Sequence, residues 1–179
     1  METQVAIWSV GDPEPVRLER SGIPLEINLE SWTEKQPSIL MEGLQVVARQ
    51  LHVDAGRIDL LCLDAQERWV IVEFKRDRLN RDTISQALDY AACIQTMDPD
   101  DLRASLARGL DRLTHTESVL AAVDHQLRSE NDDREVSVIV TGTSVDPALE
   151  RVVRFLDGYD LPIQVVTFEV FGTAGGEKF

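Results

Sequence analysis

Three residues could carry chemistry together: Asp59 of Gly56-Arg57-Ile58-Asp59, and Glu73 and Lys75 of Val72-Glu73-Phe74-Lys75. Two β-rich runs, Arg57 to Leu63 and Trp69 to Lys75, flank the polar stretch Asp64 to Arg68, a pattern that predicts an antiparallel hairpin. If that hairpin is symmetric about Gln66, Asp59 and Glu73 each lie seven positions from its centre and oppose one another. Directly opposed Cβ atoms sit roughly 4.5 to 5.5 Å apart, so two carboxylates would face each other across the strand pair. Like charges so placed destabilise a sheet and call for a cation between them. The period of two puts Lys75 on the same face as Glu73, so an ammonium group joins the pair.

Hard oxygen ligands of this kind suit Mg²⁺, which takes one or two carboxylates together with water and substrate phosphate oxygens; Mn²⁺ is the alternative ion. Asp59 and Glu73 are the expected metal ligands, and phosphodiester hydrolysis is the chemistry they suit. Lys75 could orient the attacking water or stabilise charge developing on the phosphate. Glu26 is the candidate third acid, on a helix expected to pack beside the sheet; Glu30 and Glu34 of the same helix are its alternatives. An isolated Glu-x-Lys pair is ordinary on a solvent-facing strand, and the opposed Asp59 is what distinguishes this one.

The elements that must hold these residues follow from pattern. Pro24 favours a helix start, and Leu25, Leu29 and Trp32 form an apolar stripe, giving a helix over about 24–35 that stops before Pro37. Val46-Val47-Ala48 suggests a first core strand before the turn residues Asp54-Ala55-Gly56. Beyond the hairpin, Asn80 or Asp82 can cap a helix with Ile84, Ala87, Leu88 and Ala91 on its buried side, ending near Met97. Residues 98–134 alternate helical patterns with acidic segments and read as a helical insertion. Val136 to Thr141 and Ile163 to Phe171 read as strands around a helix over Asp146 to Asp157. Residues 1–23 suggest an N-terminal hairpin, from the runs Gln4 to Val10 and Val16 to Glu19, and 173–179 a loose tail. Trp8, Trp32 and Trp69 are expected to pack in the core or against the hairpin.

Taken together, these residues resemble the PD-(D/E)XK nuclease superfamily, and within it the nuclease domain of NucS (EndoMS) endonucleases. The resemblance lies in Glu26 with Gln36-Pro37, Gly56-Arg57-Ile58-Asp59, Glu73-Phe74-Lys75 fourteen residues on, and Gln86 with Tyr90. It runs over about 24–95 and resumes in the last strand, helix and strand. It implies an α/β restriction-endonuclease-like fold, a mixed central sheet flanked by helices with an αβββαβ core. It further implies a Mg²⁺- or Mn²⁺-dependent endodeoxyribonuclease of DNA repair, restriction or defence, with Asp59 and Glu73 as metal ligands, Lys75 as the catalytic lysine and Glu26 as the accessory acid. Gln86 and Tyr90, one helical turn apart, would border the site and its substrate. Only 23 residues precede the helix expected from position 24, so the family's N-terminal domain has no counterpart in this reading and mismatch specificity does not carry over.

Composition sets the outer bounds. With 179 residues and 43% hydrophobic content the chain suits one domain with one sizeable core. No apolar run approaches the roughly 18 residues of a membrane span, and Met1 to Gly11 has no signal-peptide pattern, which leads us to expect a cytoplasmic protein. Cys62 and Cys93 lie in apolar stretches without metal-site spacing and read as buried free thiols, and the three histidines have no ligand spacing. The formal charge of −14, from 18 Lys and Arg against 32 Asp and Glu, argues against indiscriminate polyanion binding. Residues 68–81 run the other way, with Arg68, Lys75, Arg76, Arg78 and Arg81 against Glu73 and Asp77. Arg76 and Arg78, with Arg57 and Arg49 as extensions, are candidates for nucleic-acid phosphate, which the resemblance implies is DNA. A homodimer or a separate protein partner supplying DNA recognition fits such a chain. The competing function is a non-catalytic module that keeps the nuclease scaffold to bind nucleic acid or a protein.

Overall fold

The computed structural model describes residues 7–9, 14–21, 26–110, 117–128, 134–159 and 161–172. Strands β1 (Ile7–Ser9) and β2 (Val16–Ser21) precede helix α1 (Glu26–Lys35) and a 3₁₀ turn over Pro37–Ile39. Next come β3 (Gln45–Val53), β4 (Gly56–Leu63), β5 (Trp69–Phe74), β6 (Arg78–Leu79) and α2 (Arg81–Thr96). Helices α3 (Pro99–Leu110) and α4 (Glu117–Arg128) lead to β7 (Val136–Gly142), β8 (Ser144–Val145), α5 (Pro147–Asp157), β9 (Ile163–Thr167) and β10 (Val170–Gly172).

The central sheet has the order β3-β4-β5-β7-β9. Its first three strands are antiparallel meander and its last three are parallel, joined by helical crossovers. Leu60 pairs with Val72 and Leu63 with Trp69, so the β4–β5 hairpin is centred on Gln66, as the spacing predicts. A buried Asp64 closes its turn, its Oδ1 accepting the N–H groups of Gln66 and Arg68, both at 2.9 Å.

Period-two alternation splits β4 and β5 into two buried faces. Leu61, Leu63, Trp69 and Ile71 pack with Tyr90 and Ile94 of α2, Leu102 and Leu106 of α3, and Val119, Ala122, Val123 and Leu127 of α4. Helices α3 and α4 therefore cover this face of the sheet. Leu60, Cys62, Val70, Val72 and Phe74 face the other way, onto Leu29, Leu40, Leu44 and Val170. A third cluster joins Ile84 and Ala87 of α2 to Val138, Val140 and Leu149. Asn80 caps α2 by accepting the Thr83 N–H at 3.1 Å, and Asp146 caps α5 at Ala148 N with Pro147 behind it.

Several expectations are corrected. The final strand is two strands: β9 follows β7 only to Thr167, where β7 ends at Gly142, and β10 then pairs with β2. β2 thus lies between β1 and β10 in a small separate sheet. The short parallel pair β6–β8 was not foreseen. Trp69 is fully buried, but Trp32 is 38% exposed, because α1 turns Leu29, Glu30 and Thr33 inward in place of the Leu29 and Trp32 stripe. Cys62 is buried and Cys93 half-buried, and both are free. Trp8's side chain, the tail 173–179 and parts of the N-terminal hairpin lie outside the described residues. Among the described residues no helix is long and apolar enough to cross a membrane.

Gly56 begins β4 at φ 138°, a region that L side chains rarely adopt, and a Cβ there would lie 3.1 Å from the Tyr90 hydroxyl. We expect Gly56→Ala to destabilise the fold by about 1–3 kcal/mol. For a chain of this size that lowers the melting temperature by several degrees. Thermal unfolding followed by circular dichroism checks this, and an unchanged midpoint would contradict the close approach.

Candidate active site

The site begins where the β4–β5 ladder stops. Leu60 and Val72 are the last paired residues, and one further step of the same register sets Asp59 against Glu73. There the Phe74 N–H donates to the Asp59 carboxylate, Oδ2 at 2.9 Å, and a side chain takes over from the strand ladder. Burial raises the Asp59 carboxyl above its ordinary range; the Phe74 N–H opposes that, the nearby Glu30 charge adds to it, and Lys75 and Gln50 pull it back.

Glu73, one residue before the end of β5, is 2% exposed. Its Oε1 accepts a charge-assisted hydrogen bond from Lys75 Nζ at 2.8 Å. Its Oε2 is buried with no hydrogen-bond partner. Desolvation, then the neighbouring Asp59 charge, pushes the Glu73 carboxyl up to about 7, against the pull of Lys75. Lys75 lies just past β5, fixed by its own N–H donating to Thr141 O at 2.8 Å on the parallel neighbour β7.

Helix α1 supplies a second group of acids. Glu30 is 6% exposed, and its Oε2 accepts from Arg49 Nε at 3.2 Å and from Gln50 Nε2 at 2.7 Å. Arg49 also pairs with Glu34 at 2.6 Å, so it is held by the helix acids and does not extend the basic patch. Gln50 donates a second time, to Asp59 Oδ1 at 3.1 Å, and so touches both acids. Its φ is 52°, a left-handed conformation that costs a non-glycine residue of order 1–3 kcal/mol. Glu26 opens α1, but its side chain lies outside the described residues.

Gln86 and Tyr90 are together as expected, Gln86 Nε2 donating to the Tyr90 hydroxyl at 2.8 Å. Tyr90 is only 4% exposed, and its hydroxyl also accepts the Arg57 N–H at 3.3 Å beside Gly56. The pair therefore braces the start of β4, which carries Asp59. The Arg57, Arg76 and Arg78 residues are all exposed; Arg76 pairs with Asp77 at 3.1 Å and Arg78 with Asp146 at 3.6 Å.

The sequence pattern offers Glu30 as one alternative among the helix acids and gives no motif that singles out Gln50. A signal existed for Gln50: the β3–β4 register places Arg49 against Leu60 and Leu51 against Ile58, so Gln50 falls opposite Asp59. Among the described residues no group of three or more His, Cys, Asp or Glu side chains forms a ready-made metal cage. A site for Mg²⁺ needs less, since that ion is held by one or two carboxylates and keeps several waters. The unpartnered Glu73 Oε2 beside Asp59 fits such an ion chemically.

The chain is 26% identical over 114 residues to endonuclease NucS of Methanocaldococcus jannaschii, covering 60% of this chain and 42% of the relative. It is 31% identical over 93 residues to endonuclease NucS of Parafrankia sp., covering 52% and 40%. The chain thus spans less than half the length of these relatives in the matched regions. In fold it is similar to the crystal structure of a repair endonuclease from Pyrococcus abyssi, with TM-score 0.54 and 11% identity over 91% of this chain and 65% of that one. It is also similar to an EndoMS–dsDNA complex, with TM-score 0.51 and 12% identity over 91% and 64%. The family model for the endonuclease NucS C-terminal domain matches residues 25–136, which hold Asp59, Glu73, Lys75, Gln86 and Tyr90, and the chain belongs to that family.

Proposed function

We propose that this chain is a divalent-metal-dependent nuclease domain that cleaves DNA phosphodiesters. The observation that carries the reading is the buried Glu73, one oxygen on Lys75 and the other unpartnered, set beside Asp59. A carboxylate pair of this kind is costly without a cation and has no role in packing. NucS-named relatives and membership of the NucS C-terminal family support it, and the fold likeness to an EndoMS–dsDNA complex favours DNA over RNA.

Asp59 and Glu73 would hold Mg²⁺ or Mn²⁺, which when bound polarises the phosphate and lowers the pKa of its water. The chain's own groups do the rest. The Phe74 N–H and Gln50 fix the Asp59 carboxylate, so that its oxygens are presented without a search through rotamers. Lys75 neutralises Glu73 and offers its ammonium to the attacking water or to charge growing on the phosphate. On α1, Glu26 and Glu30 are the acids for the accessory role, and Glu30 is the one linked to Asp59 through Gln50. Arg57, Arg76 and Arg78 would bind flanking phosphates. The ion pairs of Arg76 and Arg78 are exposed and worth about 0–1 kcal/mol, so a phosphate can replace them.

Lys75→Ala should fold normally yet lower cleavage at least about 100-fold, the loss typical of removing one preorganised donor. Labelled single-stranded, duplex, mismatched and branched DNA, and RNA, at low salt with Mg²⁺ or Mn²⁺ provide the assay. Full activity in the variant would sink the mechanism. No cleavage by the wild type, with no response to metal, would favour the non-catalytic module.

Metal should raise the melting temperature, and Asp59→Asn should erase the rise. The size of the rise should depend on pH in a defined direction. Burial and the Asp59 charge push the folded Glu73 carboxyl up to about 7 from an ordinary 4.5, so between those pH values and without metal the folded state holds a proton that the unfolded chain has lost. Metal-free stability therefore falls as pH rises from about 4.5 to 7. A bound cation must displace that proton, so the metal-induced rise should be larger at pH 8 than at pH 6. Differential scanning fluorimetry at the two values decides, and an equal rise at both would remove Glu73 as a ligand.

A further inference from the structure

We propose that Gln50 is the positioning residue of this site: its side-chain amide sets the spacing and orientation of Asp59 relative to the buried acid Glu30. The inference rests on the metal-site reading above and adds to it a residue that neither the motif nor the comparisons assign.

Gln50 Nε2 lies 2.7 Å from Glu30 Oε2 and 3.1 Å from Asp59 Oδ1. Both partners are carboxylate oxygens, so the amide must present its NH₂ group to them, and its two N–H bonds are enough for one each. The amide stands between two acids that would otherwise repel across open space. A neutral double donor does this without neutralising either acid. A lysine in its place would compete with a metal for the same oxygens, and a glutamate would add a third negative charge.

The backbone agrees. In a regular strand neighbouring side chains leave opposite faces. Arg49 and Gln50 are neighbours in β3, yet both donate to Glu30 Oε2, at 3.2 and 2.7 Å. The left-handed φ of 52° at Gln50 interrupts the pleat where this happens, in the register position opposite Asp59. The strain is not needed to hold the strand, because Arg49–Leu60 and Leu51–Ile58 pair on either side. Nor does either acid depend on Gln50 alone: Arg49 also holds Glu30, and the Phe74 N–H also holds Asp59. Among the hydrogen bonds described here, the Gln50 amide is the group that touches both carboxylates.

These features set the test. Gln50→Gly removes the amide and relieves the left-handed strain, so the metal-free protein should melt close to the wild-type temperature. Its cleavage of the preferred DNA should fall about tenfold or more in kcat with KM for DNA little changed, since Gln50 positions a ligand and does not meet the substrate. The Mn²⁺ concentration that gives half the full thermal stabilisation should rise by a similar factor. Gln50→Met, which keeps bulk and loses the donors, should show the same shift in Mn²⁺ response. Wild-type cleavage and Mn²⁺ response in both variants would overturn the proposal. So would a large drop in melting temperature for Gln50→Gly with an unchanged Mn²⁺ midpoint, which would make Gln50 a fold-holding residue. A wild-type protein that neither cleaves nor responds to Mn²⁺ would retire the metal-site reading, and the positioning role with it; a responsive wild type isolates the failure to Gln50.

Discussion

Two carboxylates held together at the buried end of a hairpin are the constraint around which this domain is arranged. Asp59 and Glu73 are opposed by the same register that pairs Leu60 with Val72, so they cannot separate without unzipping β4 from β5. Water does not relieve the repulsion at Glu73, which is 2% exposed. The protein answers with donors: Lys75 on Glu73, the Phe74 N–H and Gln50 on Asp59. The answer is incomplete, since Glu73 Oε2 stays unpartnered and its carboxyl titrates near 7. An incomplete answer is what a cation-binding site requires, because a fully satisfied pair would have nothing to offer an ion.

The sheet supplies the rigidity that such an arrangement needs. β5 is the strand at which antiparallel pairing gives way to parallel pairing, with β4 on one side and β7 on the other. Glu73 pairs with Val140 and Phe74 with Thr141 of β7, while Lys75 is pinned by Thr141 O. Glu73 and Lys75 therefore sit at the end of a strand with neighbours on both edges. Burial on both faces completes the support, with α2, α3 and α4 against Ile71 and α1 against the side of Phe74. The Gln86–Tyr90 pair, expected to border substrate, braces Gly56 and Arg57, three and two residues before Asp59. A side chain 4% exposed acts on the site through the strand it holds.

What was legible in the sequence was whatever depends on local periodicity. The hairpin centre, and with it the opposition of Asp59 and Glu73, follows from counting. The Asn80 and Asp146 caps follow from side-chain chemistry next to an apolar stripe. What escaped was decided between elements. Helix α1 rotates to bury Glu30 and Thr33 and expose Trp32, a choice that apolar spacing gets wrong because Arg49 and Gln50 on another strand reward the inward acid. Gln50 escaped because a left-handed residue inside a strand contradicts every local preference, and only its partners justify it. β10 escaped because the last apolar run looks continuous, while the end of β7 at Gly142 removes its partner after Thr167.

The basic segment of this acidic chain shows how charge can be present without being committed to one task. Arg68 is tied to the 4%-exposed Asp64, whose carboxylate also closes the β4–β5 turn, so that pair belongs to the fold. Lys75 is tied to Glu73 and belongs to the site. Arg76 pairs with the exposed Asp77 and Arg78 with the partly exposed Asp146, in geometry that water screens. The segment thus divides by the burial of the partner. A polyanion approaching a chain of net charge −14 meets long-range repulsion, and within this segment Arg76 and Arg78, whose acid partners are solvated, can exchange an aspartate for a phosphate at little cost. An exchange of that kind is local and contact-driven, because a fixed charge is screened beyond a Debye length, about 8 Å at physiological salt.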